Sequence, residues 1–550
     1  MIIKICLTLV LFISLGFSNI YSCTNFIVTK GASTDGSIFI TYNADAGGFM
    51  EPFYFMPAAT HKPGEMVDVY DWDSGKYLGK IKQVAETYKV VGHINQHQVS
   101  IGETTFGGRE ELKDTTAVVD YGSLIQLALQ RAKTAREAIK IMDELVQEYG
   151  YYSSGESFSV ADANEVWMME MITKGPFEKG AVWVARRIPD GYVAAHANQA
   201  RIREIIENDP DNCMYSKDVV TFAIKRGYYD PKSGKKFSFV DAYAPLEPGG
   251  LFACEGRVWS LFRHAAPSMN FSSDYWRAVK GSEPYPLFIK PDKKLALKDV
   301  IDYMRDHFEG TEFDLTKGEA AGPYGCPVRW KGLYWKIEGD TVTKYAWERP
   351  ISTQQTAFAF VSQLRNWLPN DIGGILWYGV DDNYTTVYMP LYISMEKPPY
   401  TIKVGSISDF TMESAFWVFN LVANYAYPRY SLMIKDIQAA QSKLESNFQN
   451  SQPAIEKAAL DLYNTGKQDL AKEFLNDYTN NQVNKTVERW TELWKFLITK
   501  FNDGYINDVK VDNGRHPKSA GYSTDFLKNV VKSRPGYYEV KWKEKKSNNP

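Results

Sequence analysis

Cys23, Asn43 and Asp45 are the residues whose types and spacing point most directly to chemistry. A cysteine that begins a chain carries two reactive groups on one residue. Its thiol is a nucleophile, and its α-amine, with an ordinary pKa of about 7.7–8.0, is a base that works near neutral pH. No distant histidine is then needed, which suits a chain with seven histidines, none in a recognisable catalytic setting. An amide and a carboxylate twenty residues on, at Asn43 and Asp45, would orient such a residue if the chain folded back between them. Turn formation is the plainer alternative for both.

Cys23 becomes a first residue only if what precedes it is removed. Lys4 is the sole charge among residues 1–22, Ile5–Phe17 is a mainly apolar run, and a short polar stretch ends at Ser22. That pattern predicts a secretory signal peptide cut after Ser22, too short in its apolar part to span a bilayer comfortably. Cleavage would take away Lys4 and Cys6, leave four cysteines, and make the protein an exported one, periplasmic or extracellular. A cysteine at this position is also where a lipid can be attached. The approach Ile20-Tyr21-Ser22 suits that poorly, because Tyr21 is bulky.

The elements that must position these residues follow at once. Thr24–Thr29 is rich in β-branched and aromatic residues and reads as a strand, Gly31–Gly36 as a turn with Asp35-Gly36 at its tip, and Ser37–Tyr42 as a returning strand. Residues 43–48 then form a Gly-bounded loop. A hairpin of this kind brings Asn43 and Asp45 beside Cys23. Leu124–Tyr149 has the spacing of one helix stopped by Gly150, and Ser157–Met171 reads as a hairpin turning at 162–164. A helix is expected near 297–307. Trp330, Trp335, Trp347, Trp367 and Trp377 are assigned to core packing ahead of a carbohydrate groove. From Met412 to about Phe501 the pattern becomes helical, three or four helices broken near Pro428, Pro453 and Asn480-Asn481, with Trp417, Phe419, Trp490 and Trp494 as anchors. Lys541–Pro550 is a basic, frayed tail.

The 550-residue chain is 44% hydrophobic and 23% charged, the composition of a soluble globular protein. Lys and Arg number 63 against 66 Asp and Glu, so no bulk field attracts nucleic acid. His93 and His97 are four apart, but their surroundings read as strand and turn, so no metal is assigned there. No phosphate loop or dinucleotide fingerprint is present, and no cofactor is expected. Among Cys213, Cys254 and Cys326, one disulfide and one free thiol are compatible with export.

Cys-Thr-Asn-Phe-Ile-Val from residue 23, Lys30–Ser37 and Asn43-x-Asp45 resemble the cysteine dipeptidases related to the secernins. These are N-terminal nucleophile hydrolases, distant kin of bile-salt hydrolases and penicillin V acylase. The resemblance continues in Ile101–Phe106, Ala132–Ala138, Val184–Asp190, Ala195–Ile202 and Leu364–Pro369, and covers most of residues 23 to about 445. It implies an α+β fold, a four-layer αββα sandwich of antiparallel sheets over residues 23–410. A helical extension would follow over 411–505, and a tail over 506–550. It implies hydrolysis of dipeptides, with Cys23 as nucleophile, Asp45 orienting the α-amine, Asn198 in the oxyanion hole and Arg257 as a late active-site arginine. Glu103 and Thr104, at a polar strand end, are candidates to bind the substrate ammonium and the oxyanion respectively, with Asn43 alongside in the substrate site. One departure stands out: Tyr42 occupies the place where relatives carry an arginine, leaving the α-ammonium or Arg257 to lower the thiol pKa. The partners implied are small peptides, with no nucleic acid, no stable membrane insertion after processing, and self-association left open. Two alternatives remain: an amidase of the acylase type, and a lipid-anchored surface binding protein acylated on Cys23.

Overall fold

A computed structural model describes residues 23–50, 52–330, 333–340, 342–508 and 517–540. Residues 1–22, expected to be a signal peptide, and residues 541–550, expected to be a basic tail, lie outside the described residues.

The hairpin forms where its sequence predicts, with one extension. Asn25–Val28 and Ile38–Asp45 pair antiparallel, Ile27 opposite Ile40 and Val28 opposite Phe39. Every residue of both strands is buried, as expected of strands covered on both faces. The returning strand runs three residues past Tyr42, so Asn43 and Asp45 are strand residues and not members of a loop. The reason is a partner from far along the chain. Thr356–Leu364 pairs along the whole strand, from Asp45 opposite Thr356 to Ile38 opposite Leu364.

Two large antiparallel sheets result. One has seven strands in the order Phe288–Ile289, Val193–His196, Asn25–Val28, Ile38–Asp45, Thr356–Leu364, Ile375–Val380 and Met389–Tyr392. The other has eight, with the hairpin Gly155–Ala161 and Val166–Thr173 at its centre and Ser100–Gly107 beside it. The sheets meet face to face through polar as well as apolar contacts. Ser100 Oγ lies 2.6 Å from Ser362 Oγ, and His196 bridges Thr104 Oγ1 at 2.7 Å and Ser159 Oγ at 2.8 Å. Burial pushes the His196 pKa down to about 3, so the ring is a neutral bridge. Close approach depends on Gly102: a Cβ there would stand 2.4 Å from Asn25 Oδ1.

The expected helix Leu124–Tyr149 is two helices, Tyr121–Leu129 and Ala135–Tyr149. Two N-caps decide this. Asp120 and Ser123 form a capping box on the first helix, and Thr134 accepts from the Glu137 N–H on the second. Asn95 Nδ2 then satisfies the carbonyls of Leu129 and Ala132 at 2.7 Å each, across the break. Both helices pack an apolar face against the eight-stranded sheet.

The C-terminal region is helical, as the sequence predicts, but its breaks differ. The helices are Ala415–Ala426, Tyr430–Asn464 and Gln468–Lys500. The break at Pro428 is present; those at Pro453 and Asn480-Asn481 are not. Pro453 is exposed within the second helix, and packing of Phe448 and Ala459 to either side offsets the hydrogen bond it removes. The actual stop is Gly466, at φ 79°, a backbone region that favours glycine. These helices share one apolar cluster with the seven-stranded sheet, and Phe419 stacks on Trp490 at 4.9 Å. Arg305 fastens them with a two-pronged ion pair to Glu445 at 2.6 and 3.0 Å. A further helix, Thr524–Ser533, lies within the stretch read as tail.

Of the five tryptophans assigned to the core, only Trp377 is in it. Trp330 and Trp367 are exposed, and Trp335 stacks half-buried on Tyr345 and Trp347. Trp330, Trp335 and Trp347 lie in a stretch whose described residues pair as the short ribbon Tyr334–Trp335 with Tyr345–Ala346, which leaves rings at the surface. Cys23, Cys213, Cys254 and Cys326 are all free thiols, so no disulfide links the described cysteines. Among the described residues no helix is long and apolar enough to cross a membrane.

Buried carboxyls make stability pH-dependent. Burial raises Glu170 to about 7 and Asp381 to about 8, the latter with one oxygen on Asn420 at 2.8 Å and the other unpartnered. The folded chain therefore holds protons that the unfolded chain has released above about pH 4–5. Their contribution to stability is fully present below that range and is lost as pH rises toward 7–8, by about 1.4 kcal/mol per pH unit for each group. Denaturant titrations from pH 5 to 8.5 should show this decline. Asp381→Asn, at a residue with φ 64° that asparagine tolerates, should flatten it.

Candidate active site

Cys23 sits at the end of the hairpin because Thr24 and Asn43 exchange backbone hydrogen bonds of 3.2 and 3.0 Å. That antiparallel bridge sets residue 23 against the last residues of Ile38–Asp45. The Asp45 backbone N–H consequently reaches the Cys23 sulfur, and the Tyr42 hydroxyl stands 3.6 Å from Sγ. Local sequence thus delivers the thiol, a backbone donor and a phenol to one place.

Arg257 comes from the other side. It lies at the start of the helix Gly256–Ala265, directly after a π-helical turn over Leu251–Glu255. Its guanidinium is fully buried and gathers the site together. Nη1 donates to the Cys23 carbonyl and, at 2.9 Å, to Thr24 Oγ1; Nη2 donates to Asn198 Oδ1 at 2.9 Å and the Ala197 carbonyl at 3.2 Å. Burial, with the nearby Arg349 charge second, lowers its pKa to about 10, so it remains a cation at neutral pH. Asn198 lies two residues past Val193–His196 rather than within a strand. It has a left-handed backbone (φ 60°), and its Nδ2 donates to the Thr105 carbonyl at 2.7 Å. Arg257 thereby holds Asn198 and Cys23 on one rigid fork.

Asp45 is fully buried, with Oδ2 on Arg349 Nη2 at 2.6 Å and Oδ1 on Thr356 Oγ1 at 2.6 Å. Burial raises its pKa, and the Arg349 cation opposes that rise. Asn43, two residues back on the same face, is turned to backbone: its amide donates to the carbonyls of Met304 at 3.3 Å and Ile351 at 3.4 Å. Thr104 is committed to His196 between the sheets.

Glu103, only 1% exposed, hydrogen-bonds the Tyr42 hydroxyl with Oε1, and its backbone carbonyl accepts from Asn25 Nδ2 at 2.6 Å. Burial raises its pKa to about 7. The Cys23 thiol is held well above its ordinary range, first by burial and then by the Glu103 and Asp45 carboxyls; the Asp45 N–H and Tyr42 pull the other way. A thiol in that state is a weak nucleophile until a positive charge arrives beside it. Arginine at position 42 would have supplied one; tyrosine does not.

Cys23, Asp45, Asn198, Arg257 and Glu103 are therefore brought together, while Asn43 and Thr104 are turned to structural partners. The sequence reading missed Arg349 and Glu156. Arg349 precedes a proline in an unremarkable loop 304 residues from Asp45, and no local pattern marks it. Glu156 comes beside Glu103 because Gly155–Ala161 pairs with Ser100–Gly107, Thr105 opposite Glu156. An acidic residue at the start of a strand whose other residues are small or apolar was the one available signal.

Comparison with known proteins places the chain. Residues 53–443 match the profile of Peptidase family C69, more than half of the chain, from a point downstream of Cys23. It is 27% identical to a "Probable dipeptidase" of Salmonella dublin over 69% of this chain and 83% of that protein. It is 25% identical to a "Probable dipeptidase" of Latilactobacillus sakei over 74% of this chain and 82% of the relative. A "Dipeptidase" of Bifidobacterium longum (strain NCC 2705) is 23% identical over 73% and 76%. A match of that extent, to relatives covered over most of their length, identifies the chain as a member of Peptidase family C69, a cysteine peptidase.

Proposed function

We propose that this chain is an exported dipeptidase that uses Cys23, freed as the first residue by removal of residues 1–22, as its nucleophile. The observation that carries the reading is the convergence on Cys23 of Arg257, Asp45 and Tyr42 in a chain of this family. Names of the relatives support dipeptides as the substrate class. The two packed sheets, with helices on the eight-stranded one and on the edge of the other, support the four-layer αββα sandwich of an N-terminal nucleophile hydrolase. Residues 1–22 support export, with lipid attachment at Cys23 as the competing fate.

In this mechanism the Cys23 sulfur attacks the scissile carbonyl carbon, and the thiol proton passes to the α-amine of the same residue. As the C–N bond breaks, the leaving amine takes that proton, and a thioester remains on Sγ. The α-amine then accepts a proton from water, whose oxygen attacks the thioester and releases the amino acid. Asn198, whose Nδ2 lies at the site and donates to the Thr105 carbonyl, is the assigned oxyanion donor. Arg257 keeps both ends of that arrangement in place.

The test is a panel of dipeptides, tripeptides and N-acyl amino acids offered to the processed protein. Dipeptides are expected to be cleaved fastest, by about 10-fold or more in kcat/KM. Preference for N-acyl amino acids would assign the site to the acylase type.

A further inference from the structure

Behind the thiol lies a group of acids that the mechanism above does not use. Glu103 and Glu156 stand against each other in adjacent strands, 1% and 0% exposed. Each has one carboxyl oxygen, Oε2 in both, that meets no hydrogen-bond partner outside the pair. The Tyr151 hydroxyl beside Glu156 is likewise buried. The main charges acting on the pair are each other and Asp73, all acidic. Two carboxyls packed together cannot both ionise cheaply, so the pair retains a proton shared in a hydrogen bond between them and carries a negative charge that a cation would offset. Buried carboxyls of this kind call for an explanation, and Glu103 stands at the sulfur of the proposed nucleophile, with Glu156 next to it.

We propose that Glu103 and Glu156 form the subsite for the free α-ammonium of the substrate's N-terminal residue. This rests on the reading of Cys23 as nucleophile. Geometry requires such a group nearby. Before attack the sulfur lies about 3–3.5 Å from the scissile carbonyl carbon. In a dipeptide the ammonium nitrogen is only two bonds of about 1.5 Å from that carbon. The ammonium therefore falls within about 6 Å of Sγ, where the Glu103 carboxyl stands, and it brings a positive charge and three donors to the pair. An N-acylated substrate places a neutral amide there, which cannot offset the acids. The site would thus read the amino end of the substrate and accept variation at the leaving group.

The experiment compares the processed protein on matched substrates: a free dipeptide, its N-acetyl form, and the desamino analogue in which hydrogen replaces the amine. The free dipeptide should exceed both others by about 10²-fold or more in kcat/KM. Glu156→Gln should raise KM for the free dipeptide by about 10–100-fold while leaving the N-acetyl and desamino rates within about threefold; Glu103→Gln, which also removes a carboxyl beside the thiol and so shifts all three rates, should shrink the preference for the free dipeptide over the other two by about 10–100-fold. The wild-type comparison stands even if a variant fails to fold. N-acetyl or desamino substrates cleaved as well as the free dipeptide would overturn the subsite while leaving Cys23 in place. So would glutamine variants that lower all three substrates equally. Hydrolysis that survives Cys23→Ala would remove both readings together.

Discussion

A single extra residue ahead of Cys23 in the processed protein is expected to lower kcat/KM for dipeptides by about 10²–10⁴-fold, with folding unchanged. That range is what a positioned general base contributes. An added residue converts the α-amine into an amide, which neither accepts a proton at neutral pH nor becomes a cation. Both losses matter here. The thiol is buried and stands near the Glu103 and Asp45 carboxyls, so its pKa is high without a compensating charge. An α-ammonium on Cys23 supplies that charge two bonds from Cβ. The extended protein should therefore also resist alkylation by iodoacetamide near pH 7, where the processed protein reacts. Equal alkylation of both forms would show that another group, with Arg257 the nearest cation, activates the thiol.

Cys23→Ala is expected to lower dipeptide hydrolysis by at least about 10³-fold, since loss of a nucleophile leaves only binding and oxyanion stabilisation. Folding should survive, because the change removes one sulfur atom from a residue that is 4% exposed and packed at the end of a strand. The cost is about 1 kcal/mol, in the range of a small core truncation. Circular dichroism and a denaturant titration check that half; the panel of dipeptides checks the other. Cys254 is the informative control. Its thiol is also buried and donates to the Asn198 carbonyl at 3.3 Å, so it lies at the same site. Yet its residue is neither an N-terminus nor approached by the Asp45 N–H, and Cys254→Ala should retain most of the activity.

What the sequence made legible was local. Thr24–Thr29, the Asp35-Gly36 turn and the returning strand bring Cys23 to Asp45 within 23 residues, and β-branched runs and turn residues suffice to predict that. The prediction stopped the strand at Tyr42 because the three residues after it gain their pairing from Thr356–Leu364, over 300 residues away. Non-local pairing has no local signature. The same limit hid Arg349, which reaches Asp45 from a loop, and Glu156, which faces Glu103 only through strand register. Asn198 and Arg257 were found through resemblance, not periodicity: nothing in Val193–His196 or Gly256–Ala265 says that their neighbours share one guanidinium. Helix ends show the reverse error. Pro453 carried a strong local signal for a break, and packing overrode it, whereas the modest signal of Gly466 marked the real end.

The most direct test of Cys23 as nucleophile is to quench the processed protein while it turns over a slow aminoacyl ester or dipeptide, digest it, and locate the adduct by mass spectrometry. The account predicts an N-terminal peptide that begins at Cys23 and carries one aminoacyl group as a thioester, released by hydroxylamine. Cys213, Cys254 and Cys326 should be unmodified. Steady turnover by a protein whose first residue lies upstream of Cys23, or an aminoacyl adduct on any other residue, would contradict it.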